Sequence, residues 1–521
     1  MVKFLSMKSG KINTKHSNIF FRFLKRIGTI RYIFLIYVLF VTLMSLLLFW
    51  NTTHARDNLG IKYHINYLDA LFIASSAFSD TGLTTITIGK VFNEFGQALI
   101  ALSIVVGGIG IFTFKVYLFQ SLLGFKSNIF SSQVSLTERG SNNLVETRKM
   151  IKVSISFLII VTVVSSLIFT LLFYFNPSQY FDDAKALAPQ SEKFNPYVTS
   201  EYNPYQNFTL SLRYGIFHAI SSINNAGFDI MGDKSLQPFY KDYSLQVVTF
   251  IVFVIGGIGF PVIYDLWLKI ISVNKNNSKH RLSLFTKFTL ITYLITTIFG
   301  LALTVLFETS SKNPNTFWNQ SEYGNVWNKL FAIYFQTKST RSAGFSTVNY
   351  YNFTQPTIVC HAILMFIGFS PVSTAGGIRN TTIAVIFLSV LSTIRGGRNI
   401  NAFKRQIGKE TLIKAINVFS IAILIITVTT LLTYSTIPAT AKTIQGDEFP
   451  MTFTLFEICS AFGNSGLTTG LTSSVKTVGK LTLILIMIIG QFGIPQTIKI
   501  WGKTKSTPEQ YRYIYEDVSI G

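Results

Sequence analysis

The sequence predicts an all-α integral membrane protein of four repeats, each a span, a re-entrant pore half-helix with its loop, and a second span, arranged around one central pore. Three observations carry this prediction. The 521 residues are 49% hydrophobic and 13% charged, with mean hydropathy +0.41, more apolar surface than a soluble domain of this length hides. Apolar stretches long enough to cross ~30 Å of hydrocarbon, at about 1.5 Å per helical residue, recur along the chain in pairs. Between the members of each pair one short polar phrase returns: Ser76-Ala-Phe-Ser-Asp-Thr-Gly82-Leu-Thr, Ser222-Ile-Asn-Asn-Ala-Gly227-Phe-Asp, Thr340-Arg-Ser-Ala-Gly344-Phe-Ser-Thr and Ser460-Ala-Phe-Gly-Asn-Ser-Gly466-Leu-Thr.

The glycines are separated by 227−82=145, 344−227=117 and 466−344=122 residues, an internal fourfold repeat. First spans are predicted over 32–50, 153–175, 284–307 and 411–436, and second spans over 97–119, 244–270, 357–394 and 477–500. Four stretches of about a dozen residues lie between them, over 67–79, 210–223, 328–339 and 451–462, too short to cross and read as re-entrant half-helices. The chain divides into a cytoplasmic N-terminal segment 1–31, repeats 32–119, 120–270, 271–394 and 395–500, and a cytoplasmic C-terminal segment 501–521. The apolar run after the basic start is longer than a signal-peptide core and has no small-x-small cleavage site after it, so it is read as the first span.

Orientation follows from charge. Lys3, Lys8, Lys11, Lys15, Arg22, Lys25, Arg26 and Arg31 precede the first span; the links between repeats carry Lys115, Lys126, Arg139, Arg148 and Lys149, then Lys269, Lys275, Lys279 and Arg281, then Arg395, Arg398, Lys404, Arg405 and Lys409. The positive-inside rule places all of these, and both termini, in the cytoplasm of a multi-pass protein of the cell membrane. Asp182, Asp183, Glu192, Glu201, Asp447 and Glu448 mark outward loops, so the half-helices enter from outside. The +22 formal charge is therefore a matter of membrane topology and a rim facing lipid headgroups or a partner, not a nucleic-acid surface. Cys360 and Cys459 lie in or beside apolar segments and read as packing residues, with no disulfide framework and no metal cluster.

Non-helical backbone at membrane depth is tolerated only where protein buries it or it lines a watery cavity. A cation leaving water for an apolar medium meets a penalty of order tens of kcal/mol unless oxygens replace its hydration. Backbone carbonyls supply them without charge, and a short helix ending at the turn adds roughly −0.5 of partial charge. Glycine takes φ > 0 and turns a carbonyl toward the axis. The residues that read as lining the ion path are Thr81 and Gly82; Asn225, Ala226 and Gly227; Ser342, Ala343 and Gly344; and Asn464, Ser465 and Gly466.

These four turns resemble the filter loops of the Trk/Ktr/HKT superfamily of potassium transporters, closest to the KtrB-type membrane subunit; Asn225-Ala-Gly-Phe and Ser342-Ala-Gly-Phe-Ser-Thr match most specifically, and the similarity covers essentially the whole chain after residue 30. In that family a glycine in every loop is the potassium pattern, which Gly82, Gly227, Gly344 and Gly466 fit. The resemblance implies K+ as transported ion with no further cofactor, one complete pore per protomer, a homodimer, and a separate cytoplasmic nucleotide-binding regulatory subunit of the KtrA/TrkA type.

The third repeat carries a second constellation, Ser370-Pro-Val-Ser-Thr-Ala-Gly-Gly-Ile-Arg379, where proline and paired glycines must break the helix. The residues alone leave open a static kink or a movable intramembrane loop below the turns. The resemblance favours the loop, because Ser373, Thr374, Ala375, Gly376 and Gly377 match the family's gating loop. Other second spans hold Gly107-Gly-Ile-Gly110, Gly256-Gly-Ile-Gly259 and Gly490-Gln-Phe-Gly493, read as sites of close helix approach rather than a dinucleotide fingerprint. At Gln491 relatives usually carry an arginine beside the gate, so weaker closure is expected here.

Asp265 and Lys115 are expected to snorkel at cytoplasmic span ends. Asp80 and Asp229 read either as vestibule charges that concentrate cations or as local backbone caps. Arg341 is expected to pair with Glu457 or with carbonyls behind the turns, and His218 and His361 to be packing residues. No nucleophile with its base and no phosphate-binding loop appears, which speaks against an enzyme. Parallel rather than inverted repeats and few intramembrane acids favour a channel-like pore over an alternative Na+- or H+-coupled potassium symporter.

Overall fold

The computed structural model describes residues 29–56, 60–108, 144–177 and 203–501, apart from 233, 275–280, 372, 398, 439–440 and 442–447. The basic N-terminal segment up to residue 28, the link holding Lys115, Lys126 and Arg139, Lys275 and Lys279, the acidic loop with Asp182, Asp183, Glu192 and Glu201, Asp447, Arg398 and the C-terminal segment after 501 lie outside the described residues.

The chain is mostly helical, and one order of elements recurs. A long helix is followed by a short one, a glycine turn and a further helix: α1 (Thr29–Phe49), α2 (Tyr67–Phe78) and α3 (Glu94–Gly108); α4 (Leu144–Phe175), α5 (Phe208–Ile223), α6 (Tyr243–Gly257) and α7 (Phe260–Asn274); α8 (Leu284–Ser310), α9 (Val326–Ser339), α10 (Gln355–Phe366) and α11 (Asn380–Ile394); α12 (Lys409–Ser435), α13 (Met451–Gly463), α14 (Thr477–Phe492) and α15 (Ile494–Trp501). A small antiparallel hairpin, β1 (Ile400–Ala402) with β2 (Arg405–Ile407), joins the last two groups, with Phe403 and Lys404 both at positive φ in its tip.

Among the described residues, Lys149–Phe175, Leu284–Ser310 and Lys409–Ser435 are single helices long and apolar enough to cross a membrane, and α6 with α7 makes a fourth if the bent pair is one span. These long helices turn large aliphatic side chains outward: Ile159, Ile160, Val163 and Leu167 on α4, Leu294, Ile295, Ile298 and Phe299 on α8, Leu424, Val428 and Leu431 on α12, and Leu39 and Leu46 on α1. A continuous belt of that kind belongs in lipid, since a water-exposed patch of this extent marks an aggregation surface.

Each short helix is largely buried and packs on the long helix before it, α2 on α1, α5 on α4, α9 on α8 and α13 on α12. Asn207 and Asn325 cap α5 and α9, their side chains accepting from the N–H groups of Leu210 and Asn328 at 3.2 and 3.0 Å. Polar bonds then link each short helix to the post-turn helix of the preceding group. Lys480 on α14 meets Asp69 on α2 at 2.6 Å; Arg213 on α5 donates to Gln97 and Glu94 on α3 at 2.7 and 3.0 Å; the Tyr243 hydroxyl on α6 donates to Asn328 on α9 at 2.8 Å; and Thr452 on α13 donates to Gln355 on α10. The four groups thus close into a cycle, with the fourth touching the first.

Two expected spans are broken. The stretch 244–270 bends by 99° between α6 and α7, where Gly259 has φ +88°, and 477–500 divides at Gly493, φ +79°. A left-handed residue cannot continue a right-handed helix, so these glycines end it as the third-repeat loop does. Asp265 does not snorkel: it is buried on α7, where its carboxylate accepts from the Ser283 N–H at 2.9 Å and the Thr286 hydroxyl at 2.6 Å, tying α7 to the start of α8.

Candidate functional site

The four glycine turns share one backbone pattern. Asp80, Asn225, Ser342 and Asn464 have φ of 55°, 55°, 69° and 47°, and the glycine two residues on has 91°, 67°, 79° and 82°. The first left-handed residue ends the short helix. In three turns the closure is a Schellman motif: Thr81, Ala226 and Ser465 donate back to the carbonyls of Ser76, Ser221 and Ser460 at 2.9, 2.8 and 2.9 Å, while Asp80, Asn225 and Asn464 donate to Ala77, Ser222 and Ala461. The third differs, with Ala343 donating to Ser339 at 3.0 Å. Asp and Asn tolerate this conformation better than bulkier residues, which accounts for the first of the two positions without glycine in three turns; in the third, serine takes it. Asp80 is buried at this helix-ending position, whereas Asp229 keeps partial exposure.

The glycines face one another. A Cβ built on Gly82 would overlap the Ala226 carbonyl oxygen and lie 3.1 Å from the Gly227 Cα; one on Gly227 would lie 2.8 Å from the Gly344 Cα and 3.1 Å from the Ala343 oxygen; one on Gly344 would overlap the Ser465 oxygen; one on Gly466 would overlap the Thr81 oxygen and lie 3.0 Å from the Gly82 Cα. Contacts run in chain order and return to the start. All eleven sequence-predicted lining residues, Thr81, Gly82, Asn225, Ala226, Gly227, Ser342, Ala343, Gly344, Asn464, Ser465 and Gly466, belong to these mutually touching turns. Side chains lace neighbouring turns together: the Ser342 hydroxyl donates to the Gly463 carbonyl at 2.8 Å, and the Asn464 amide donates to the Ser79 carbonyl at 2.6 Å and the Thr81 hydroxyl at 3.1 Å.

The glycine clusters of the post-turn helices fit the close-approach expectation. A Cβ at Gly107, Gly256 or Gly490 would overlap the carbonyl oxygen of Phe78, Ile223 or Phe462, at the C-terminal ends of α2, α5 and α13.

The broken segment 367–379 lies against two turns. Ser373, Thr374, Ala375, Gly376 and Gly377 are buried; Gly376 and Gly377 donate to the Gly463 and Phe462 carbonyls at 3.2 and 2.8 Å, and Arg379 donates back to the Ala375 and Gly376 carbonyls. Gln491 is also buried, but its amide donates to the Phe78 carbonyl at the end of α2, at 2.8 Å, not to the broken segment.

Arg341 and Glu457 do not pair. Arg341 is 1% exposed and donates to the Gly368 carbonyl at 3.0 Å and to Leu364 at 3.4 Å, with its guanidinium 5.9 Å from the Tyr293 ring. The Glu457 carboxylate instead accepts from the Thr468, Thr469 and Thr472 hydroxyls at 2.6, 3.0 and 2.6 Å and the Thr469 N–H at 2.8 Å. It therefore holds the chain leaving Gly466 to the helix entering it. Sequence reasoning missed this bracing; its signal was the threonine cluster at 468, 469 and 472. His218 and His361 are buried, bonded to Thr249 and Thr304 and ringed by aromatic side chains, as packing residues are.

The fold is that of a helical membrane protein, with several helices long and apolar enough to cross a bilayer among the described residues. The family model described as TrkH, cation transport protein, matches residues 12–500. The chain is 33% identical over 506 residues to an uncharacterized cation transporter of Mycoplasma genitalium, covering 88% of this chain and 89% of the relative. It is 30% identical to the Ktr system potassium uptake protein D of Bacillus subtilis, covering 96% and 99%. The crystal structure of the potassium transporter TrkH from Vibrio parahaemolyticus shares the fold, with TM-score 0.58 and 16% identity, over 85% of this chain and 79% of that one. The chain belongs to the TrkH cation transport family of the Trk/Ktr superfamily, with the KtrB-type membrane subunits.

Proposed function

We propose that the chain is the ion-translocating, channel-like subunit of a Ktr/Trk-type potassium uptake system in the cell membrane. Four repeats surround one pore, the glycine turns select K+, and the segment holding Ser373 to Gly377 gates the path beneath them. The observation that carries this reading is the closed cycle of glycine-to-carbonyl approaches, Gly82 to Ala226, Gly227 to Ala343, Gly344 to Ser465 and Gly466 to Thr81. Four short helices end at that ring, so their negative dipole ends and the carbonyls beyond face the same small volume, which favours a dehydrated monovalent cation over an anion. The relatives named as Ktr system potassium uptake proteins support potassium as the ion; a homodimer and a separate nucleotide-binding regulatory subunit of the KtrA/TrkA type are part of the proposal through the resemblance of the turns.

Backbone carbonyls rather than carboxylates make the closest approaches in the ring, which supports passive, selective flux rather than obligatory coupling. Uptake of K+ and Na+ in a host lacking its own potassium transport tests the proposal. Growth rescue at low K+, with K+ taken up in preference to Na+, is expected; equal uptake of both ions, or none, defeats it.

A further inference from the structure

We propose that Arg341 is a positioning residue that latches the broken segment 367–379 to the base of the third glycine turn; the proposal rests on reading the turns as the ion path. Arg341 is among the largest fully buried side chains, and among the described residues no carboxylate lies within ion-pair distance of it. Its partners are carbonyls that the helix break leaves behind. Leu364 lies in the last turn of α10 and Gly368 just beyond it, where an unbroken helix would have engaged both oxygens. The guanidinium takes them at the negative end of the α10 dipole, a favourable place for a cation without a counter-ion. Tyr293 completes the fixture, since its ring lies near the guanidinium and 4.2 Å from the ring of Phe369 in the broken segment.

The far end of the segment is held separately, by the N–H groups of Gly376 and Gly377 on the end of α13. Its two limbs are zipped together, Ile378 donating to the Phe366 carbonyl at 3.1 Å and Gly368 packed on the Gly376 oxygen. The segment is thus slung between the base of the third turn, through Arg341, and the base of the fourth. It cannot swing aside without releasing one of these two attachments. An apolar side chain would fill the Arg341 site without burying a charge; what arginine adds is a donor fork that spans the break.

The test uses full-length protein in liposomes carrying Thr374→Cys, with modification by a water-soluble thiol reagent supplied on both faces, and Arg341→Gln and Arg341→Lys compared with Arg341 intact. Loss of charged hydrogen bonds of ordinary strength should raise the modification rate of the cysteine by about tenfold to a hundredfold in Arg341→Gln, with K+/Na+ discrimination kept and basal K+ flux per inserted copy raised. Arg341→Lys keeps the charge but loses the fork, and should fall between; it also carries the test if the glutamine variant does not insert. An unchanged modification rate overturns the proposal, as does lost discrimination at an unchanged rate, which would make Arg341 a support of the turn alone. If the parent protein itself does not prefer K+, the ion-path reading fails, while the modification rates still report on the latch.

Discussion

Replacing Gly82 with serine should lower K+ over Na+ discrimination while leaving a folded, inserted protein, and a matched substitution shows why. Gly82 has φ +91°, and any side chain there takes a left-handed strain of about 1–2 kcal/mol. Gly470, at φ +92°, takes the same strain, but nothing lies within 4 Å of a Cβ built on it. At Gly82 that Cβ would lie 3.1 Å from the Gly227 Cα and carbonyl carbon, roughly 0.5 Å inside ordinary carbon–carbon contact, and closer still to the Ala226 oxygen. Only backbone can yield, which adds an overpacking cost of about 1–3 kcal/mol and displaces the Ala226 carbonyl from the ring. Gly470→Ser should then lose only the strain energy in thermal unfolding and keep its ion preference. Gly82→Ser should lose more stability and about tenfold in discrimination, equivalent to about 1.4 kcal/mol of differential ion binding. The assay is paired K+ and Na+ flux per inserted copy, with thermal unfolding in detergent. Equal discrimination in Gly82→Ser and wild type would refute the reasoning, as would an equal loss in Gly470→Ser.

Other predictions follow from contacts around the turns. Glu457→Ala strands the Thr469 N–H and the three threonine hydroxyls, at about 1–3 kcal/mol for each donor left without a partner, so both unfolding temperature and discrimination should fall, whereas Glu457→Gln should retain most of both. Lys480→Met leaves Asp69 without its cation in the half-buried pair joining the fourth and first groups, at about 3 kcal/mol, and Asp69→Asn combined with it should recover part of the lost unfolding temperature. Gln491→Arg puts a charge at the end of α2 and should lower basal K+ flux in liposomes; equal flux in the variant and wild type would count against any influence of this position on closure.

Much of the architecture was legible because its signals are local. The short helices expected over 67–79, 210–223, 328–339 and 451–462 are observed over Tyr67–Phe78, Phe208–Ile223, Val326–Ser339 and Met451–Gly463, since an apolar run stopping at small polar residues marks both helix and end. The breaks at Gly259 and Gly493 were hidden, because a glycine inside a hydrophobic run barely alters hydropathy while its backbone angle alters everything after it. Proline made the third break visible. Carbonyls behind the turns were one of the two partners expected for Arg341, but which carbonyls was not legible, nor was the partner of Gln491: both donate to backbone oxygens, which every residue carries and no side chain announces. The role of Asp80 was left open between two readings because a left-handed position depends on where the helix ends to within one residue.

The central claim, that the four glycine turns form a selective and uncoupled potassium path, is tested most directly by the reversal potential of the purified full-length chain in liposomes under opposed K+ and Na+ gradients. The account predicts a potential that follows the K+ gradient alone and stays put when the Na+ gradient or the pH difference is changed at fixed K+. A potential that shifts with Na+ or with pH in a fixed ratio would contradict it and would establish coupled transport instead.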